Sequence, residues 1–328
     1  MSIPWPRLTE LIRSHDRFLL TSHVRPDCDA LGSELGLAGV LDALGKDVLV
    51  VNAQKTPPNL AFIDPDGRLK TLGVDVEPFD LEGCEVLIVL DTSAWAQLGT
   101  MAEVVRASKA HKAILDHHVG EDDLGAELFK NPEAEATGRL VLEAARHLGV
   151  RITPEIARPL FAAIATDTGW FRFGSTSGTT LRYAGELVEA GAVPSEIYAC
   201  LYEQDSLARL KLRGRILART ETELDGRLAH TAALAEDFEA TGALPSDTED
   251  VINLTLGVAN TEVAVILVQQ PAGGFKISFR SRTPKFDCNA MARQFGGGGH
   301  KAAAGASIAV PWPEAQRKVL DAVRNAMR

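Results

Sequence analysis

The sequence predicts an α/β protein in two parts: a parallel-sheet N-terminal domain with flanking helices, and a smaller α/β C-terminal domain. Three observations carry this reading. The chain has 328 residues, against about 100 to 200 for a typical domain. Residues 17 to 120 alternate strand-sized aliphatic runs with helix-period segments, the pattern of strands joined by helical crossovers. Near residue 219 the character changes to β-prone segments separated by the turn signals DG and AGG.

Taken in chain order, RFLLTS (17–22), ALGSELGLAGVLDALG (30–45) and DVLVVN (47–52) read as strand, helix and strand, and VLIVL (86–90) and KAIL (112–115) follow as further strands. Residues 136 to 148 and 154 to 165 look helical. The second places Ile156, Leu160 and Ile164 at i, i+4 and i+8, with Pro159, a poor helix former, inside it. The stretch from 179 to 218 is again helix-like; LAHTAAL, VAVILVQQ and FKISFRS are then strand-like, and a glycine cluster follows at 296 to 299. The predicted division is a first domain over 1–185, a helical connector over 186–218 and a second domain over 219–328.

Composition narrows the function classes. With 45% hydrophobic and 24% charged residues and only strand-length aliphatic runs, membrane-spanning, collagen-like and disordered readings are excluded. The first twenty residues mix charges with prolines and show no secretory signal. The four cysteines, Cys28, Cys84, Cys200 and Cys288, are far apart, which argues against a disulfide framework or structural zinc and for a reducing cytoplasm. A net charge of -10 disfavours wrapping long nucleic acid. A small phosphorylated substrate on a local basic patch remains compatible with it.

Histidine and aspartate concentrate where strands and helices are expected to end. HVRPDCDALGS (23–33) follows the first strand, and Pro26 stiffens a turn from which His23, Asp27 and Asp29 can converge. Asp29 is also placed to cap the next helix. Asp91 follows VLIVL, Asp116-His117-His118 follows KAIL, and Asp167 lies in ATDTGWF. Ligands of open parallel sheets bind beyond the carboxyl ends of the strands, so these groups can meet in one crevice. A lone aspartate after a strand is ordinarily a cap, and a lone His-His pair ordinarily a surface feature. Four such motifs in order are not explained by capping.

His23, Asp27, Asp29, Asp91, His117 and Asp167 together offer four carboxylates and two imidazoles, enough to neutralise most of the charge of two divalent cations. Without thiolate, with Cys28 read as a spacer, the set favours a fairly hard ion: manganese before zinc, with magnesium or iron as alternatives. Two ions about 3.5 to 4 Å apart serve displacement at phosphorus. The implied chemistry is phosphoester hydrolysis.

A second segment, 275–306, holds Lys276, Arg280, Arg282, Lys285, Arg293 and Lys301 against the single acid Asp287 between Lys276 and Lys301. Gly296 to Gly299 let backbone amides approach a phosphate, and His300 adds a donor. The G-x-x-x-x-G-K-[ST] nucleotide loop is absent, and no G-x-G-x-x-G opens a helix after a strand. The hydroxyl-rich STSGTT (175–180) reads as the cap of the following helix, with a phosphate contact as the alternative.

These motifs resemble the DHH phosphoesterase family with its associated C-terminal domain, over nearly the whole chain. HVRPDCDALGS, Asp91, Asp116-His117-His118 and Asp167 are similar to its four catalytic motifs, and SFRSR and GGGGHKAAAG to the substrate-binding elements of the associated domain. The two-domain size is most similar to the nanoRNase and pAp phosphatase branch. The resemblance implies one manganese on His23, Asp27 and Asp91 and a second on Asp29, Asp91, His117 and Asp167, with Asp91 shared. It makes Asp91, Asp116 and His118 catalytic, His118 within reach of the scissile phosphate. Arg280, Ser281, Arg282, Gly298, Gly299 and His300 would hold the part of the substrate that is not cleaved.

The implied reaction is hydrolysis of very short oligoribonucleotides (nanoRNA, pApA) to mononucleotides, or of pAp to AMP and phosphate. A crevice between the domains would limit substrate length. Cyclic dinucleotides, pyrophosphate or polyphosphate, and nucleotide binding without turnover are the alternatives. The expected partners are a short oligonucleotide or small nucleotide, no long nucleic acid, no membrane, and a second copy in a homodimer.

Overall fold

The computed structural model describes residues 3–120 and 122–328. The chain folds into two compact units, Met1–Gln204 and Asp205–Arg328.

The first unit contains α1 (Trp5–Arg13), β1 (Arg17–Thr21), α2 (Cys28–Ala43), β2 (Asp47–Asn52), β3 (Leu69–Thr71), β4 (Val86–Leu90), α3 (Met101–Ala107), β5 (His111–Asp116), β6 (Glu127–Lys130), α4 (Thr137–Leu148), α5 (Pro154–Asp167), α6 (Gly178–Glu189) and α7 (Pro194–Tyr202). Its six strands form a sheet in the order β3-β2-β1-β4-β5-β6, every pair parallel. β4 reads VLIVL because it is buried on both sides, as central parallel strands are. Val86, Ile88 and Leu90 face a core shared with α1, α2, α4 and α5. Leu87 and Val89 face another, closed by Leu98, Met101 and Val105.

Two helices set the spacing of the site. α2 is buried nearly all round, and along one side it carries only glycines. A Cβ on Gly32 would lie 2.4 Å from the Pro159 carbonyl oxygen, one on Gly36 2.3 Å from Leu160 Cδ2, and one on Gly39 2.7 Å from Ile156 Cγ1. α5 therefore packs antiparallel against bare α2 backbone, and the helix expected over 154–165 is present with Pro159 inside it. Burial against this glycine seam outweighs the hydrogen bond that proline removes. The hydroxyl-rich stretch caps α6 as expected, with Ser177 accepting from the Thr180 N–H.

The second unit contains α8 (Leu207–Ala218), β7 (Glu221–Glu223), β8 (Leu228–Ala233), α9 (Ala235–Thr241), α10 (Val251–Leu256), β9 (Val263–Gln269), β10 (Phe275–Ser281), α11 (Cys288–Arg293), β11 (Gly298–Gly299), β12 (Ala303–Ile308) and α12 (Trp312–Met327). The sheet order is β11-β12-β10-β9-β8-β7; only β8 and β9 pair in parallel. Val263, Val265 and Leu267 face a core with Ala315, Val319 and Val323 of α12. Ala264, Ile266 and Val268 face Leu212 and Ile216 of α8.

The helix-like stretch 179–218 is three helices broken near Val193 and Gln204. The break at Gln204–Asp205 separates the units, so α6 and α7 belong to the first and α8 to the second. No helix among the described residues is long and apolar enough to cross a membrane.

Candidate metal centre

The strand order of the first unit reverses between β1 and β4, and ligands of open α/β sheets bind beyond the carboxyl ends at such a switch point. His23, Asp27 and Asp29 lie just past the end of β1, Asp91 just past β4, and Asp116 ends β5. Asp167 is the last residue of α5. The four motifs thus come from three adjacent strands and one helix, at one edge of one sheet.

Asp91 is the hinge of the arrangement. It has φ +60, a left-handed conformation that aspartate tolerates better than most residues, and it is 2% exposed. Its Oδ2 lies 3.3 Å from His23 Nε2 and its Oδ1 3.5 Å from His117 Nε2, so each oxygen faces a different imidazole. His23 Nε2 is 3.8 Å from Asp27 Oδ1. His117 Nε2 is 3.5 Å from Asp167 Oδ2 and 3.7 Å from Asp29 Oδ2. Among the described residues, three groups have donor atoms within 4.8 Å of one another: His23–Asp27–Asp91, Asp29–His117–Asp167 and Asp91–His117–His118.

The donors fit divalent cations on two counts. First, His23 Nδ1 lies 3.0 Å from the Val24 carbonyl and His117 Nδ1 3.1 Å from that of Ala134. Each ring thereby donates its Nδ1–H to backbone and turns the Nε2 lone pair toward the carboxylates, the usual arrangement of a metal-ligating histidine. Second, the carboxylates repel one another. Burial, then Asp29 and Asp27, push Asp91 well above the ordinary range. Burial also raises Asp29, and burial with the nearby Asp29 carries Asp167 up to about 7. A cation among them inverts this situation. Cys28 is no competitor: burial pushes its thiol up to about 12.

Asp27, rather than Asp29, caps α2, its Oδ1 accepting from the Asp29 and Ala30 N–H groups. Asp29 instead sits on the amino end of α4. Its Oδ2 accepts from the Thr137 N–H at 2.7 Å, and its Oδ1 from the Gly138 N–H at 2.9 Å and the Ser33 hydroxyl at 3.2 Å. The Thr137 hydroxyl donates to Asp91 Oδ1 at 2.9 Å. Sequence reasoning missed Thr137 and Gly138, which look like any helix start.

Asp116 does not face the cage. Its Oδ1 accepts from the His118 N–H and lies 2.8 Å from His118 Nδ1; its Oδ2 accepts from the Ser93 hydroxyl and lies 3.2 Å from Lys130 Nζ. Burial raises this carboxyl, but His118 and Ser93 outweigh burial and hold it at about 2. The hydrogen bond to Asp116 in turn raises His118, whose side chain is 54% exposed and 3.7 Å from Asp91 Oδ1. Ser93 and Lys130 were also missed; neither belongs to a recognisable motif.

In the second unit, β12 pairs on one side with β10 and on the other with β11, so Ala304 stands opposite both Phe279 and Gly299. Arg280 pairs with Ala303, and the His300 N–H donates to the Ala303 carbonyl at 2.8 Å. Arg280 and His300 are therefore level across one strand. The Ser281 hydroxyl closes a turn on Thr283 beside the exposed Arg282. The glycines serve tight packing: a Cβ on Gly297 would lie 2.1 Å from the Gly305 oxygen, and one on Gly299 2.7 Å from that of Ala303. Three of the amides expected for an anion are engaged, Gly296 N–H with the Arg293 carbonyl, Gly297 N–H with the Ala292 carbonyl and Gly299 N–H with Asn289 Oδ1.

A sheet of this order, with paired histidines and aspartates at its central strand ends, defines a class. Residues 17–164 match the DHH family N-terminal domain and residues 238–328 the DHHA1 domain, and the chain belongs to the DHH family. It is 31% identical, over 95% of its length and 96% of the relative's, to the bifunctional oligoribonuclease and PAP phosphatase NrnA of Bacillus subtilis. It is 33% identical, over 94% of its length and 89% of the relative's, to the protein of that name from Thermus thermophilus. The solved structure of an exopolyphosphatase-related protein from Bacteroides fragilis matches with a TM-score of 0.86 at 28% identity, covering 98% of this chain and 95% of that one.

Proposed function

We propose that this protein hydrolyses very short oligoribonucleotides to mononucleotides and converts pAp to AMP and phosphate, using two divalent cations, with Mn²⁺ the best fitted. The observation that carries the reading is Asp91, which turns one carboxylate oxygen to His23 and the other to His117 at 3.3 and 3.5 Å. His23, Asp27 and Asp91 hold one ion; Asp29, Asp91, His117 and Asp167 hold the other. When bound, such a pair neutralises the phosphoryl oxygens and readies water for in-line attack.

The chain's own residues do the rest. Asp29 is kept in place by the amino end of α4, and Thr137 fixes the rotation of Asp91. Asp116, anchored by Ser93 and Lys130, orients His118 through Nδ1 and leaves Nε2 to touch the scissile phosphate and hold a proton there. Arg280, Arg282 and His300 bind anionic and polar groups of the uncleaved part, Gly298 and Gly299 allow its close approach, and Ser281 acts through the turn it closes. The relatives named for oligoribonuclease and PAP phosphatase activity, similar over nearly their whole length, support this choice of substrate.

The test is product release in Mn²⁺ from pAp, pApA, cyclic di-AMP, RNA of graded lengths and pyrophosphate, with wild type and Asp91→Asn in parallel. Mononucleotide or AMP from the short substrates with wild type alone is expected. Release from pyrophosphate only would move the protein to phosphoanhydrides. Equal turnover by both proteins would remove Asp91 from the reaction.

A further inference from the structure

The loop that carries His23 is held at two points by the chain at the end of β2. The Ser22 N–H and hydroxyl both donate to Asn52 Oδ1, at 3.0 and 3.2 Å, and the Arg25 N–H donates to Gln54 Oε1 at 2.6 Å. Ser22 is 0% exposed and Asn52 2%, whereas Arg25 and Gln54 are exposed. The Asn52 contact is therefore the rigid anchor. Its amide has one workable orientation: the Ser22 N–H is an obligatory donor, so the oxygen must face it and the nitrogen must point away.

Glu34 receives that nitrogen. From the second turn of α2 its Oε2 accepts from Asn52 Nδ2 at 2.8 Å. Glu34 is 0% exposed, and its Oε1 is buried with no hydrogen-bond partner among the described residues. Burial pushes its carboxyl up to about 8, against the pull of Asn52 and Ser22. A fully buried carboxyl is costly. Among the described residues Glu34 forms none of the metal-type clusters, and its hydrogen bond goes to the amide that holds the residue preceding His23.

We propose that Glu34 and Asn52 are positioning residues: by locking the Asn52 amide against Ser22 they fix the strand end that presents His23, and so set the affinity of the His23–Asp27–Asp91 ion site. This rests on the two-ion reading above. A glutamate kept only for bulk would behave differently, because a well-packed apolar residue replaces a buried carboxyl with little loss.

The experiment is calorimetric titration of the metal-free full chain with Mn²⁺, accompanied by thermal melting, for wild type, Glu34→Gln, Glu34→Leu and Asn52→Leu. Wild type takes up two ions. The two leucine variants weaken one of them by about 10- to 100-fold, the usual cost of losing a group that orients a ligand, and leave the other unchanged. Glu34→Gln, which still accepts from Asn52, keeps both affinities. Asn52→Ser, which removes the bond without adding bulk, replaces any leucine variant that fails to fold. Folded leucine or serine variants with both wild-type affinities overturn the proposal, as does equal weakening of both ions. Wild type that binds no Mn²⁺ overturns the two-ion reading itself.

Discussion

Asp91 and Asp237 are both aspartates withdrawn from solvent, at 2% and 0% exposure, and their surroundings drive them in opposite directions. Around Asp91 stand Asp27, Asp29 and Asp116, and its carboxyl is pushed well up. Asp237, in the second unit, accepts from Arg215 Nε at 2.7 Å, from Arg219 Nη1 at 2.6 Å and from the Leu234 N–H at 2.9 Å. Burial raises it, but these donors prevail and bring it to about 2. One carboxylate is paired with cations of the protein itself, and the other is crowded by further carboxylates. Burial alone says nothing about role; the sign of the neighbours does.

The comparison predicts opposite responses to the same substitution. The largest is in activity: Asp91→Asn lowers turnover of pApA by at least about 100- to 1000-fold, the scale of one preorganised electrostatic contact. It also raises the metal-free melting temperature by about 2 to 4 °C, what about 1 kcal/mol of relieved repulsion yields in a unit of this size. A fall in that temperature would mean Asp91 is already satisfied.

Mn²⁺ at about 100 times its dissociation constant stabilises wild type by about 2.7 kcal/mol and leaves Asp91→Asn nearly unmoved, as differential scanning calorimetry would record. Next comes Asp237→Asn, which destabilises by about 1 to 2 kcal/mol at pH 7 in urea unfolding. Because the folded pKa lies below the ordinary value, this contribution is present above about pH 4 and disappears as pH falls through about 2. A penalty that persists at pH 2 would show that the arginines are not its source. The smallest effect separates orientation from charge: Lys130→Met, which removes a cation 3.2 Å from Asp116 Oδ2, lowers kcat by about 10-fold with KM unchanged.

The convergence of the candidate ligands was legible because these residues occupy the ends of strongly patterned strands, where the sheet's topology brings them together. VLIVL locates Asp91, and KAIL locates Asp116, His117 and His118. What supports them was not legible. Thr137 and Gly138 serve Asp29 from 108 and 109 residues away, and Lys130 reaches Asp116 from the end of a strand of four residues, too short for an alternating pattern to register. β3, with three residues, escaped for the same reason. The helix around Pro159 was legible from the spacing of Ile156, Leu160 and Ile164, although local propensity speaks against the proline and the glycine row that rewards it lies on another helix. The assignment of the α2 cap to Asp27 instead of Asp29 turns on two neighbouring carboxylates that only three-dimensional packing can tell apart.

The glycine seam between α2 and α5 has a mechanical consequence. Asp29 lies at the first turn of one helix and Asp167 at the last residue of the other, so the gap between the two carboxylates is set where Gly32 meets Pro159 and Ala163. The Gly32 backbone against the Pro159 carbonyl and the Ala163 methyl is a hard stop, without rotamers to repack. Substitutions elsewhere in the core can soften or stiffen the sheet, but this caliper stays fixed at its jaw.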